Sequence, residues 1–189
     1  IIKKHINQIG GQAIMTSRKH ERASDRCAEA LKHLEKKNNV KYDVVIMVQG
    51  DEPMVNSKML EQAIKPMIKN KAIQVVNLMG KIRSLKEFKD KNCIKVVCDV
   101  ESNAIYFSRE PIPSHSKMKH IKMQKQICVI PFRRNFLIKY LKMKQTQLEK
   151  IESVDMMRIL ENGYKVKMIN TNFTTYPVDT LKDLKKVEK

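Results

Sequence analysis

Apolar residues along this chain follow two rhythms. Short, nearly unbroken apolar runs occur at 43–48 (DVVIMV), 73–79 (IQVVNLM), 94–99 (IKVVCD), 126–132 (QICVIPF) and 166–170 (VKMIN). They are brief and rich in Val and Ile, which predicts strands buried within a sheet. QAIMT at 12–16 predicts a further short strand, and AIYFS at 104–108 returns across the polar turn 99–103 as a hairpin partner of 94–99. Elsewhere apolar positions recur every three or four residues. Cys27, Ala30, Leu31 and Leu34 predict a helix over 24–37 with Ser24 as its N-cap. Leu60, Ala63, Ile64, Met67 and Ile68 predict a second over 57–69, with Pro66 weakening its last turn. Two more helices are expected at 133–142 and 147–162, the latter stopped by Asn162-Gly163, and Thr180 begins a short terminal helix.

This alternation of strands and helices predicts an α/β fold. Three α/β/α layers surround a mixed, mostly parallel central sheet, and the 94–108 hairpin supplies antiparallel character. No internal repeat or low-complexity linker divides the 189 residues, so one domain is expected over 1–189. Residues 109–125, with Pro111, Pro113 and several Ser, Lys and His, read as a long polar loop of the kind that carries function.

Composition narrows the function by exclusion. The chain is 42% hydrophobic and 31% charged, as soluble globular proteins are, and no apolar run approaches a membrane span. No charged leader followed by an apolar stretch opens it. Cys27, Cys93, Cys98 and Cys128 lack metal-ligand spacing, which predicts reduced, partly buried thiols in a cytoplasmic protein. A net charge of +18 first suggests a nucleic-acid binder, but only eight of the 38 basic residues are Arg, and the lysines are scattered. Aromatics make up 5% and Trp is absent, whereas such binders gather Arg and stacking rings on one face. Neither nucleic acid nor a membrane is therefore the expected partner. Part of the charge serves to draw in an anionic substrate.

Candidate chemistry begins at VQGDEP (48–53), where Gly50 and Pro53 turn the chain and two carboxylates follow a strand. In α/β sheets ligands bind at the carboxyl ends of strands. Asp51 suits a divalent metal such as Mg²⁺, which prefers hard oxygen ligands, and Asp179 supplies a second carboxylate if it is not simply the cap of the last helix. Two carboxylates sharing Mg²⁺ with phosphates serve phosphoryl and nucleotidyl transfer. Arg109 and Arg133 are candidates for a bidentate clamp on a carboxylate or phosphate, or else surface arginines. Glu149 and Glu152 share a helix face, which a solvated surface would explain equally. The five histidines show no ligand spacing, and Glu52 has no role in this reading beyond supporting Asp51.

Longer strings connect these residues. GGQAIMTSRKHERASDRCAEAL, VIMVQGDEPMV, IKVVCDVESNAIYFSREPIP, FRRNFL, LEKIESVDMMRILENGYKVKM and VDTLKDLKKVE occur in this order. Together, and above all through QGDEP, FSR-x-x-IP and VDT-x-x-DL, they resemble the 3-deoxy-manno-octulosonate cytidylyltransferases (CMP-Kdo synthetases) over nearly the whole chain. The resemblance implies a Rossmann-like nucleotidyltransferase fold, usually dimeric, that transfers CMP from CTP to an acidic sugar with Mg²⁺ and releases pyrophosphate. It further implies that Asp51 and Asp179 are the metal ligands and catalytic carboxylates, and that Thr16, Ser24 and Asp25 line the cytidine pocket. Gln49, Arg109, Arg133, Glu149 and Glu152 match positions around the sugar. The 94–132 hairpin and loop region would contribute to sugar binding and dimerisation.

Three departures from the family pattern carry expectations of their own. The family opens with a strand and a triphosphate-gripping loop that this sequence lacks, so the chain by itself is expected to be weakly active or inactive. At 125–133 the family's R-H-x-G-I-Y-G-Y-R is KQICVIPFR, so Gln126, Ile130 and Phe132 replace an imidazole and two phenols. Either the sugar is a relative of Kdo, or the core has repacked around an unchanged substrate. At 22–26 the family's S-G-T-[DE]-R is RASDR, with Ala23 in place of glycine. A cytidylyltransferase for a sialic-acid-like sugar, a degenerate binding subunit and a basic nucleic-acid-binding protein are the competing readings.

Overall fold

In a computed structural model, residues 1–114, 123–178 and 180–188 are described, with the backbone alone at 182 and 186. The elements in order are α1 (Ile2–Gln8), α2 (Ala23–Asn38), β1 (Val44–Val48), α3 (Ser57–Lys69), β2 (Val76–Lys81), α4 (Leu85–Lys89), β3 (Lys95–Cys98) and β4 (Ala104–Ser108). They continue with β5 (Gln124–Ile127), β6 (Val129–Arg133), α5 (Arg134–Tyr140), α6 (Gln147–Glu152), α7 (Asp155–Glu161), β7 (Lys167–Thr171) and α8 (Leu181–Val187).

Five strands pair in the order β4-β3-β5-β2-β7, and β1 pairs with β6. Only Cys128 separates β5 from β6, so residues 124–133 act as one bent strand that passes from one sheet into the other. It runs antiparallel to β2 (Leu78 opposite Ile127) and to β1 (Val45 opposite Phe132), with a bridge from Val75 to Phe132 joining the two sheets. β1 and β2 therefore point the same way, as β7 does beside β2. The sheet is mixed, as expected, but not mostly parallel. Among the described pairings β2–β7 alone is parallel, because the 124–133 strand enters between β1 and β2 in the opposite sense and β3–β4 is a hairpin. The tip of that hairpin curls back to the free edge of β7 through the bridge from Asn103 to Lys167.

Helices cover both faces. Met59 and Ala63 of α3 pack on Leu78, Ile127 and Val129. On the other face α2, α5 and α7 bury Leu31, Phe136, Leu137 and Ile159 with Met79, Val96, Phe107 and Phe132. Helix α3 runs through Pro66 to Lys69, capped at its start by Asn56 Oδ1, which accepts from the Met59 N–H at 3.2 Å.

Several expectations change. Residues 12–16 form no strand, because an extended segment needs a hydrogen-bonded neighbour and has none among the described residues; Met15 is 64% exposed. The strand at 43–48 is only partly buried, since its sheet gives it a neighbour on one side, and Val48 is 41% exposed. The helix at 147–162 is two helices, broken at Ser153 in the left-handed region (φ 53°). Arg22, not Ser24, occupies the N-cap of α2, and Thr180 caps α8 by accepting from the Asp183 N–H.

Candidate active site

The loop after β1 closes on the kink between β5 and β6. The Gln49 N–H donates to the Cys128 carbonyl at 3.3 Å, and the Glu52 N–H donates back to the Gln49 carbonyl at 3.2 Å. The Cys128 N–H in turn donates to Glu52 Oε1 at 3.2 Å. Both backbone groups of the kink residue are thus taken up by the QGDE turn. Glu52, unexplained by its sequence, is the clamp. It is 6% exposed, and burial pushes its carboxyl above the ordinary range; the Cys128 N–H works against that shift and the Asp51 charge adds to it.

Asp51 itself is half-buried. Its carbonyl accepts from the Val178 N–H at 2.8 Å, which brings the segment after β7 onto the carboxyl end of β1. Asp51 Oδ1 is shut away from solvent with no donor among the described residues. A buried carboxylate oxygen without a donor is costly unless a cation satisfies it. The described residues hold no cluster of three or more His, Cys, Asp or Glu able to bind a metal. A single carboxylate such as Asp51 still fits Mg²⁺, which takes one or two carboxylates and completes its shell with water and substrate phosphates. Asp179, the other expected ligand, lies outside the described residues.

Beside this turn, at the carboxyl ends of β2 and β7, lies a cavity of about 370 Å³ lined by Lys81, Arg83, Glu87, Lys125, Thr175 and Tyr176 among others. Lys125 is nearly buried, donating to Glu87 Oε1 at 2.6 Å and to the Thr175 carbonyl at 3.1 Å. Its charge also reaches Glu52.

A second cluster gathers at the end of β4. Glu152 accepts from Tyr106 Oη at 3.0 Å, Ser108 Oγ at 3.2 Å and the Arg109 N–H at 2.8 Å. Arg109 Nε donates to the Glu152 carbonyl at 2.7 Å, and Nη1 donates to the Lys91 carbonyl at 3.0 Å. Arg109 and Glu152, far apart in sequence, therefore meet, with Glu152 holding the arginine. Burial raises the Tyr106 hydroxyl, and the neighbouring Glu152 carboxylate raises it further.

Other expected site residues are engaged elsewhere. Arg133 stands opposite Val44, whereas the loop bearing Asp51 leaves β1 after Val48, so the two are at opposite ends of that strand. Its guanidinium donates to the carbonyls of Met67, Ile73 and Asn70 and so caps the C-terminus of α3. Glu149 has no exposed surface; both its oxygens take the Arg158 guanidinium, at 2.7 Å and 2.5 Å. Arg158 also lies over the Tyr140 ring, 4.6 Å from its centre. Ser24 is 1% exposed and donates to Asp155 Oδ2 at 3.2 Å, which removes its hydroxyl from any open pocket. Thr16 remains accessible: Arg26 Nη1 donates to its hydroxyl at 3.1 Å and to the Ser17 carbonyl, tying the 16–20 loop to α2. Asp25 lines a shallow cavity with His20, Glu29 and Lys32. Sequence reasoning missed Lys95, whose signal was a lone lysine inside the apolar run IKVVCD.

An α/β sheet with helices on both faces, carrying Asp51 at the carboxyl end of β1, is the arrangement of a nucleotidyltransferase, and the comparisons with known proteins give that class. A family model described as cytidylyltransferase matches residues 1–169. The 3-deoxy-manno-octulosonate cytidylyltransferase of Fusobacterium nucleatum is 39% identical over 98% of this chain and 74% of its own length. That of Geotalea uraniireducens is 36% identical over 96% and 74%. Among solved structures, CMP:2-keto-3-deoxy-manno-octonic acid synthetase complexed with CTP superposes with a TM-score of 0.86 at 30% identity, covering 98% of this chain and 74% of that one. The chain belongs to the 3-deoxy-manno-octulosonate cytidylyltransferase family.

Proposed function

We propose that the protein transfers the CMP group of CTP to 3-deoxy-manno-octulosonate, or to a close relative among the 2-keto-3-deoxy sugar acids, and releases pyrophosphate. The observation that carries this reading is Asp51 Oδ1, a buried carboxylate oxygen without a donor among the described residues, at the carboxyl end of β1. Its relatives and the CTP-bound structural neighbour bear names of this reaction. Asp51 and Asp179 would hold Mg²⁺, which offsets the charge of the triphosphate beside an anionic sugar. Thr16 and Asp25 take the cytidine side. Gln49 and Arg109 take the sugar, Arg109 through Nη2, for which no described residue provides an acceptor.

In the reaction the anomeric hydroxyl oxygen bonds to the α-phosphorus. Its proton passes to solvent, and the bond from the α-phosphorus to the bridging oxygen breaks with pyrophosphate as the leaving group. The contribution of the protein is alignment of the two substrates and a fixed electrostatic frame. A homodimer built through the 94–132 region belongs to the same reading, supported by the exposed Val100 and Ile105 of the hairpin. So does a cytoplasmic location; no helix among the described residues is long and apolar enough to cross a membrane.

Gln126, with the buried Ile130 and Phe132, is where the chain departs from the family motif, through either a related sugar or a repacked core around the same one. Its Nε2 donates to Oδ1 of the fully buried Asn77 at 2.6 Å, where the family motif has a histidine. Pyrophosphate release by the full-length protein, with CTP, Mg²⁺ and a panel of 2-keto-3-deoxy and sialic-type sugar acids, tests the proposal. Release with 3-deoxy-manno-octulosonate or a near relative is expected. Release with a sialic-type acid alone, or with none of the panel, would contradict it.

A further inference from the structure

Lys95 opens β3 with no exposed surface, yet no carboxylate pairs with it among the described residues. Its ammonium donates instead to three backbone carbonyls: Asp90 at 2.8 Å, Cys93 at 2.7 Å, and Arg109. An ammonium has three hydrogens to place, and an unsatisfied one in the interior is expensive. Burial holds this group below the ordinary lysine range. The acceptors come from two separate stretches of chain, the 90–93 turn and the end of β4.

On the other side of Arg109, the Glu152 carboxylate takes its N–H at 2.8 Å. The peptide groups before and after the Arg109 Cα are thus pinned by buried or half-buried charges of opposite sign. Lys95 also acts on the side chain. Arg109 Nη1 leans on the Lys91 carbonyl, and Lys91 lies in the very turn that Lys95 ties down at Asp90 and Cys93.

We infer that Lys95 is a positioning residue for Arg109, fixing both its backbone and the carbonyl against which its guanidinium rests, so that Nη2 is presented in one direction to an anionic substrate group. The inference rests on the reading of Arg109 as the anchor of the sugar acid. A guanidinium displaced by an ångström loses much of its contribution, because its acceptors are directional.

The test compares variants of the full-length protein in steady-state turnover and in calorimetric binding of the sugar acid. Lys95→Met keeps the length of the side chain and removes all three donors. Its KM for the sugar acid is expected to rise about ten- to a hundredfold, with kcat and the KM for CTP changed far less. Leu137→Ala, a cavity variant in the core away from this cluster, should lower the melting temperature without that split. If Lys95→Met does not fold, Lys95→Gln, which keeps two donors on a shorter side chain and cannot hold all three carbonyls, is measured in its place. Arg109→Ala is measured alongside. Loss of sugar affinity in Arg109→Ala but not in the Lys95 variant would overturn the role of Lys95. Unchanged sugar affinity in Arg109→Ala would overturn the reading of Arg109 itself, and the inference with it.

Discussion

Glu149 and Glu152 lie three residues apart on α6 and end in different surroundings. Glu152 reaches the end of β4 and gathers Tyr106, Ser108 and Arg109. Glu149 turns inward and meets Arg158 with both oxygens. A buried ion pair contributes little net stability against apolar residues of the same shape, but removing one partner strands the other charge. Glu149→Ala should therefore lower stability by about 3–5 kcal/mol, read from urea unfolding, while the folded fraction keeps its KM for the sugar acid. A raised sugar KM with stability intact would return Glu149 to the substrate. The helical spacing of the two glutamates was readable in advance, and so was their common face. Their separate fates were not, because Ser153 breaks the helix directly after Glu152, and Arg158 approaches Glu149 from the next helix. Glu52 was opaque for a related reason: its partner Cys128 is 76 positions away, and local pattern carries no information about it.

Elements were the most legible scale. Apolar periodicity located α3 over Ser57–Lys69 and β4 over Ala104–Ser108, and placed β1, observed at Val44–Val48, within 43–48. Each has a full amphipathic or apolar run bounded by turn or cap residues, so local preference and final packing agree. Strand direction was illegible, since an apolar run reads the same both ways, and the 124–133 strand entered the sheet against the expected sense. The direction of that strand also decides where Arg133 goes. Running antiparallel to β1, β6 carries Arg133 to the amino end of β1 and onto the last carbonyls of α3. Arg133→Met should lose these charge-assisted bonds at a cost of about 1.5–3 kcal/mol and leave sugar and CTP kinetics unchanged. Thermal unfolding with paired KM measurements checks this; an unchanged melting temperature with a raised sugar KM would restore Arg133 to the site.

For the whole molecule, topology brings three strand carboxyl ends to one end of the sheet, those of β2 and β7 adjacent and that of β1 across the 124–133 strand. β1, β2 and β7 run the same way, and the segment after β7 returns to Asp51 through the Val178 N–H. The high positive charge is spread across the sequence rather than concentrated there, so it acts as a diffuse attraction for anions, screened by salt. Membership of the family was legible from ordered motifs, because QGDEP, FSR-x-x-IP and VDT-x-x-DL occur together and in order along the chain. What the motifs could not supply was which of their charged residues reach the site and which hold the frame.

In the proposed function Asp51 is a metal carboxylate of a cytidylyltransferase. The most direct measurement is Mn²⁺ binding, followed by water-proton relaxation, together with pyrophosphate release, in the full-length wild type and in Asp51→Asn. Asp51→Asn should weaken Mn²⁺ binding and slow CMP transfer by a factor on the order of a hundred to a thousand, with its unfolding midpoint nearly unchanged. Turnover and Mn²⁺ affinity close to those of the wild type in Asp51→Asn would rule out Asp51 as a metal ligand.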